Sequence, residues 1–382
     1  MAKAVYLHIP FCEHICYYCD FNKVFLQNQP VEDYLRALDT EVKHSLERFP
    51  TDRIETIFVG GGTPTSLNME QMEQFLSTIE RYILPLAVEN VEYTFEANPG
   101  GLAKEKLQLM KDYGVNRLSF GVQTFNDELL KKIGRTHRAK DVFETIETAQ
   151  AVGFDNINVD LIYALPGQEM SSFEETLQTA FGLGVKHFSG YSLQIEPKTV
   201  FYNLMKKGKL RLPSEENEAQ MFEVLMTEME NQGFTQYEIS NFAVPGYESK
   251  HNLTYWHNNE YFGFGAGAHS YVAGVRRVNA GPLPHYMQRI EENGFPYIEE
   301  HKVSLSEQME EEMFLGLRKR EGVSKQRFFV RYGKSMNEVF DKQIKDAVKK
   351  GLLEESEERI RLTKKGFLLG NEVFQSFLGV FE

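Results

Sequence analysis

Short apolar runs alternate with longer amphipathic runs six times across the first half of the chain. Val5-Tyr6-Leu7-His8-Ile9 has the length and branching of a strand. Tyr34, Leu35, Leu38, Val42 and Leu46 then recur at helical spacing until Pro50. The pair repeats, with strands predicted at residues 56–59, 91–95, 117–122, 156–161 and 187–193. The helices between them fall near 68–83, 104–113, 142–151 and 172–183, and Gly114 and Gly153 stand where a helix C-terminus favours glycine. Repeated strand–helix units predict a parallel sheet with helices outside it. Periodicity leaves open whether that sheet closes.

Polar residues gather at the C-terminal ends of the predicted strands. A cysteine-rich loop follows the first and Gly60-Gly61-Gly62-Thr63-Pro64-Thr65 the second. Glu96, Gln123, Asp160 and Gln194-Ile195-Glu196 follow the third to sixth. That rim is where parallel barrels and open α/β sheets keep their sites. Polar strand ends are common in themselves. A triple glycine in register with carboxylate and amide side chains is less so.

Beyond residue 197 the pattern loosens. A helix is predicted over 215–230, with Met221, Phe222, Leu225 and Met229 on one side, and aromatic-rich stretches follow at 234–242, 251–256 and 262–268. After Ser304 a third pattern begins: helices at 306–317 and 336–350, then two short strands at 351–355 and 359–363. Helices followed by a hairpin have a winged-helix-like order. The expected division is residues 1–197, an accessory region 198–303 and a small C-terminal domain 304–382.

Composition narrows the function classes. Hydrophobic residues at 42% and charged residues at 25% are ordinary globular values. No apolar run approaches a membrane span, and Met1-Ala2-Lys3-Ala4-Val5 leads straight into the first strand without a signal peptide. A net charge of −13 opposes long-range attraction to nucleic acid or anionic lipid. Residues 301–382 carry 16 Lys+Arg against 14 Asp+Glu, a difference of +2, so packing or docking suits the winged-helix-like domain better than DNA binding. Scarce cysteines point to a reducing, cytoplasmic setting.

All three cysteines lie in Cys12-Glu13-His14-Ile15-Cys16-Tyr17-Tyr18-Cys19, spaced C-x3-C-x2-C. One thiol is left over from any disulfide, and loops this short strain the bond. As thiolates the three can share a metal centre. Structural zinc takes four protein ligands, and a fourth Cys or His at zinc-finger spacing is not apparent. Three thiolates can hold three irons of a four-iron cluster and leave the fourth open. Zinc and purely structural thiols remain the alternatives. The glycine triplet lets backbone amides approach a ligand closely, and it lacks the Lys-Ser/Thr of a P-loop.

The cysteine run, with Tyr6-Leu7-His8-Ile9-Pro10-Phe11 before it, resembles the radical S-adenosylmethionine (SAM) signature, and more closely its HemN/HemW group, over nearly the whole chain. That group contains the oxygen-independent coproporphyrinogen III oxidases and heme chaperones. The resemblance implies an α/β fold: a partial (β/α)6 TIM-type barrel of the radical SAM class, with the accessory region and the winged-helix-like domain. It implies a 4Fe-4S cluster on Cys12, Cys16 and Cys19, whose open iron binds the methionyl amine and carboxylate of SAM. The GGGTPT segment, with Gly62 and Thr63, then meets the SAM amino group. Glu96 matches a SAM-contacting glutamate, and Tyr6 and Tyr18 match positions flanking cluster and adenine. Gln123, Arg135 and Asp160 match positions that serve a second SAM in the oxidases. The chemistry implied is reductive cleavage of SAM to methionine and a 5′-deoxyadenosyl radical.

Two departures set the chain apart from the oxidases. They carry a fourth cysteine two residues after the third, where this chain has Phe21, and a long extension before the first strand. A third feature, His251-Asn252-Leu253-Thr254-Tyr255-Trp256, is the HNxxYW segment that the chaperone branch associates with heme. His251 would be an axial ligand and Tyr255 with Trp256, the only tryptophan, a flat apolar surface. That role needs His251 at least partly open to a cleft. His257 and His269 match no ligand position and are read as structural. The resemblance thus implies a chaperone handing heme to an acceptor, respiratory and membrane-associated, without coproporphyrinogen oxidase activity. A coproporphyrinogen III oxidase or a radical SAM methyltransferase on the same scaffold are the other readings.

Overall fold

A strand buried on both faces must find partners for its backbone on both edges and helices for its outer side chains. In the computed structural model, which describes residues 1–381, the six predicted strands do so. They are β1 (Ala4–Ile9), β2 (Ile54–Gly61), β3 (Ala87–Ala97), β4 (Arg117–Gln123), β5 (Asn156–Tyr163) and β6 (His187–Ser192). All pair in parallel and in sequence order. The helices between them are α1 (Val31–Arg48), α2 (Met69–Tyr82), α3 (Lys104–Asp112), α4 (Asp127–Lys132), α5 (Ala139–Val152) and α6 (Met170–Phe181). Outward residues such as Val5, Leu7 and Ile9 join Tyr34, Leu35, Leu38 and Val42 of α1 in the core.

Residues 198–303 form no sheet of their own. Beyond α7 (Val200–Lys206) and α8 (Glu215–Asn231), β7 (Thr235–Gln236) and β8 (Asn241–Ala243) extend the sheet past β6. After α9 (Lys250–Trp256), β9 (Tyr261–Phe264) pairs in parallel with β1 on the opposite edge. There β10 (His269–Val272), β11 (Val275–Asn279) and, after α10 (Leu283–Asn293), β12 (Tyr297–Lys302) continue antiparallel. The order is β12-β11-β10-β9-β1-β2-β3-β4-β5-β6-β8-β7, an open sheet of twelve strands with seven parallel strands at its centre. The expected boundary at residue 197 therefore divides two lengths of chain that share one sheet. Strands at β8 and β9 are too short for periodicity to reveal.

The C-terminal unit follows the predicted order. It has α11 (Leu305–Gly316), β13 (Val323–Ser324), α12 (Lys325–Tyr332) and α13 (Met336–Lys349), then the hairpin of β14 (Leu353–Glu355) and β15 (Arg359–Leu362). It rests on the sheet unit through polar contacts. Arg331 donates to the Asn258 carbonyl at 2.7 Å, and the Arg318 guanidinium lies 5.2 Å from the Trp256 ring.

One buried carboxylate fastens the β9 edge to α1. Glu41 accepts hydrogen bonds from the Gly265 amide at 2.8 Å, the Asn279 side chain at 2.7 Å and the Tyr286 hydroxyl at 2.5 Å. Glu41→Ala strands three buried donors and is expected to cost about 3 kcal/mol or more in urea unfolding. Glu41→Gln, which keeps an acceptor, is expected to cost less.

Candidate functional site

The cysteine loop leaves the C-terminal end of β1 and is held on several sides. Phe11–Cys12 pairs in parallel with Val24–Phe25, closing the loop between them. The Asn22 side chain donates to the carbonyls of Ala266 at 2.8 Å and Gly281 at 2.9 Å, and the Tyr17 amide donates to the Ile133 carbonyl at 3.0 Å. Cys12 is buried, while Cys16 and Cys19 are half-buried. All three thiols are unpaired and line one cavity of about 270 Å³. Burial pushes the Cys12 thiol up to about 11, against the opposing effect of the Thr63 hydroxyl, which donates to Cys12 Sγ at 3.7 Å. Metal ligation by Cys12 therefore releases a proton.

The glycine turn ending β2 is shaped by close approach. Gly61 has φ of +118°, and a Cβ there would lie 2.6 Å from the His8 ring. A Cβ on Gly62 would lie 2.8 Å from the Phe11 carbonyl oxygen and 2.9 Å from Cys12 Sγ. A side chain at 62 would drive turn and cysteine loop apart, and one at 61 would displace the His8 ring. Glu96, at the end of β3, accepts from the Gly61 amide at 3.1 Å. Burial, then the nearby Asp160 charge, pushes its carboxyl up to about 8, so it is largely protonated at neutral pH.

From Cys12 a polar chain crosses the rim. The Asn98 side chain donates to Thr63 Oγ1 at 3.1 Å, and Arg135 donates to Asn98 Oδ1 at 2.7 Å. Gln123 ends β4 at φ +69°, beside a register shift between β4 and β5. A left-handed non-glycine residue at a strand end is strained, and such strain concentrates at functional sites. Asp160 accepts from Asn158 at 2.8 Å and from Ser119 at 3.4 Å, and burial raises its carboxyl above the usual range.

The structure brings most of the expected residues to one wall. Cys12, Cys16, Cys19, Tyr18, Gly62, Thr63, Glu96, Gln123, Arg135 and Asp160 all line the cavity. Tyr6 does not. It sits behind the wall, stacked 6.2 Å from Phe58, with its hydroxyl paired to His8 Nδ1 at 2.9 Å. Asn98, Arg117 and Asn252 line the cavity without belonging to the expected set. For Arg117 a signal existed: counting back by twos from Gln123 through Gly121 and Ser119 reaches it on the same face.

His251 departs from its expectation. It is 1% exposed rather than open to a cleft. Its Nδ1 pairs with Thr56 Oγ1 at 2.9 Å and its Nε2 with the Tyr255 hydroxyl at 2.9 Å, while its ring stacks 5.0 Å from Phe58. Burial and then the Arg117 charge push the imidazole down to about 3, so it is neutral. The cause lies at the start of α9. Buried Glu92 accepts the amides of Lys250 and His251, each at 3.0 Å, which turns His251 inward. The Trp256 surface is covered by the Arg318 guanidinium.

The donor chemistry of the wall fits a cluster and a polar organic ligand. Three thiols share one cavity, and the glycine turn presents backbone against Cys12 and Glu96 where a side chain would intrude. Among the described residues no group of three or more His, Cys, Asp or Glu is gathered for a single metal ion. His251, with both ring nitrogens engaged, does not fit a heme iron.

Residues 6–180 match the family model of the radical SAM superfamily and residues 303–369 that of the HemN C-terminal domain. The chain is similar to the heme chaperone HemW of Bacillus subtilis (strain 168), 55% identical over 377 residues covering 99% of both chains. It is 45% identical over 376 residues to the heme chaperone HemW of Lactococcus lactis subsp. lactis (strain IL1403), covering 98% of this chain and 97% of that one. Among solved structures, coproporphyrinogen III oxidase (HemN) from Escherichia coli, described as a radical SAM enzyme, matches with a TM-score of 0.86. It is 24% identical and the match covers 98% of this chain and 90% of that one, which shows a shared fold.

Glu96→Gln removes a titration. A carboxyl raised from 4.5 to about 8 favours the folded state below about 4.5, and that contribution is lost as pH rises through about 8. Thermal unfolding is expected to show the parent losing stability relative to the Glu96→Gln variant between pH 5 and pH 9. His251→Ala is expected to lower stability by about 2–4 kcal/mol in urea, since it strands the hydroxyls of Thr56 and Tyr255.

Proposed function

The chain belongs to the heme chaperone HemW family within the radical SAM superfamily, and from that membership we propose that it binds heme and delivers it to an acceptor protein. The observation that carries this reading is 55% identity to a named heme chaperone along 99% of both chains. In this reading Cys12, Cys16 and Cys19 hold a 4Fe-4S cluster, and Gly62, Thr63, Tyr18, Glu96, Gln123, Arg135 and Asp160 hold SAM. Tyr6 supports the site from behind its wall. When both groups are bound, the chemistry supplied there is one-electron cleavage of a sulfur–carbon bond of SAM.

The side chains named divide that task. The Gly61–Gly62 backbone approaches the ligand closely. The largely protonated Glu96 can donate as well as accept a hydrogen bond, and the Arg135–Asn98–Thr63 chain fixes the wall beside Cys12. The acceptor is proposed to be a respiratory, membrane-associated protein, and the setting cytoplasmic. Among the described residues no helix is long and apolar enough to cross a membrane.

Heme is the cargo in this reading, held elsewhere than on His251. Ligation by His251 would require α9 to leave Glu92. Coproporphyrinogen oxidation is not expected, given Phe21 at the fourth-cysteine position.

Anaerobic reconstitution is expected to give about one four-iron cluster per chain, abolished by Cys→Ser at residues 12, 16 or 19. Zinc in stoichiometric amount without iron would sink the cluster assignment. Heme titration with and without SAM, followed by transfer to an apo-acceptor, tests the chaperone reading. Protoporphyrinogen formation with SAM under reducing anaerobic conditions would overturn it. The His251→Ala variant is expected to keep the parent's Soret band and heme affinity; loss of both would return the ligand role to His251.

A further inference from the structure

Residues 197–214, between β6 and α8, carry five basic side chains and no acidic one. Lys198, Lys206, Lys207, Lys209 and Arg211 contribute +5 to a chain whose net charge is −13, so the rest carries −18. All five are exposed. Among the described residues none of them forms an ion pair, although the chain has 55 acidic side chains. Lys206 lies 4.7 Å from the Tyr202 ring instead. Acidic residues flank the segment at Glu196, Glu215, Glu216 and Glu218, and Glu218 is engaged by Ser192. A solvated face ordinarily intersperses both signs, and this one does not.

Apolar side chains share the same surface: Val200, Met205 and Leu212 are 40–45% exposed. Local structure gathers them with the cations. Thr199 caps α7 by accepting the Tyr202 amide at 3.1 Å. Gly208, at φ +65°, turns the chain back, and the amides of Gly208 and Lys209 donate to the carbonyls of Met205 and Leu204, each at 2.9 Å. Met205, Lys206, Lys207 and Lys209 thus share one turn. Beneath it, Phe201, Leu204 and Leu210 pack with Tyr18 in a small apolar cluster apart from the main core. The Phe201 amide donates to the Tyr17 carbonyl at 3.1 Å, which fastens the segment to the cysteine loop.

We propose that residues 197–214 seat the protein on an anionic lipid surface, with the basic side chains at the headgroup phosphates and Val200, Met205 and Leu212 against the acyl boundary. Exposed apolar residues among unpaired cations are the composition of membrane-surface segments. Four of the five cations are lysines. Protein interfaces favour arginine and are depleted in lysine, so an acidic protein fits this surface less well. The −18 elsewhere does not forbid the contact, because exposed charges more than about 8 Å away are largely screened at physiological ionic strength. Seating brings the cysteine-loop side of the cavity to the bilayer. The inference does not rest on the heme-chaperone reading.

Vesicle co-sedimentation of the full chain, without heme, tests it separately from that reading. The parent is expected to bind vesicles of phosphatidylglycerol and phosphatidylcholine in equal parts, less tightly as salt is raised, and not vesicles of phosphatidylcholine alone. The triple variant Lys206→Glu, Lys207→Glu, Lys209→Glu is expected to lose roughly a hundredfold or more in affinity, since each basic residue near such a surface is worth about fivefold. A control triple, Lys43→Glu, Lys140→Glu, Lys342→Glu, makes the same change in net charge on three separate helices and is expected to stay within about threefold of the parent. Met205→Ser with Leu212→Ser is expected to weaken binding severalfold and keep its salt dependence. Thermal unfolding confirms intact protein, and Lys207→Gln with Lys209→Gln decides if the triple variant fails to fold. A parent that stays in solution with the anionic vesicles overturns the proposal and leaves the patch to an acidic protein. Equal losses in the patch and control triples, or equal binding to both kinds of vesicle, would overturn it as well.

Discussion

Polar side chains line the inner face of the parallel sheet in successive layers, and each must find a partner away from bulk water. Much of the lower layers meets that constraint within the protein, although the Arg117 Nε–H and the Thr94 hydroxyl have no partner among the described residues. His187 pairs with Asn158 at 2.6 Å and with the Tyr237 hydroxyl at 2.9 Å. Glu92 takes the first amides of α9, and His251 is shared between Thr56 and Tyr255. The upper layers are closed less completely: the three thiols, Glu96, Gln123, Arg135 and Asp160 border open space. The site is where the internal pairing of the sheet's inner face runs out.

The same constraint explains how distant lengths of chain come to serve one cavity. Asn22 fastens the cysteine loop to the turn after β9, and Glu41 fastens that turn to α1. The seven-residue α9 has two faces with different duties. His251 and Asn252 close the floor beneath the wall, while Trp256 packs under Arg318 from the C-terminal unit. Arg318 also lies against Phe314 and Phe374, and Arg331 holds the chain just after α9, so several contacts link that unit to α9. The C-terminal unit thus packs against the sheet unit at α9.

Much of this was legible in the chain alone. The six strands and most helices of the parallel sheet follow from apolar periodicity, because a strand buried on both faces has little choice of residue. The cysteine spacing, the glycine triplet and the carboxyl and amide groups at successive strand ends announced the rim. They share it because parallel strands send all their C-terminal ends the same way. What periodicity could not decide is where short elements go. The pairing of β9 with β1 joins residues more than 250 positions apart and involves only four residues of β9. Nothing local distinguishes that from a loop. The orientation of His251 belongs to the same class. A helix of seven residues with His, Tyr and Trp along it can present any of them to solvent, and only the Glu92 contact, made from β3, turns the histidine inward. Arg117 is the converse case. Its inward position could be counted along β4, but the missing partner of its Nε–H among the described residues could not, because that depends on what every neighbouring strand sets opposite it.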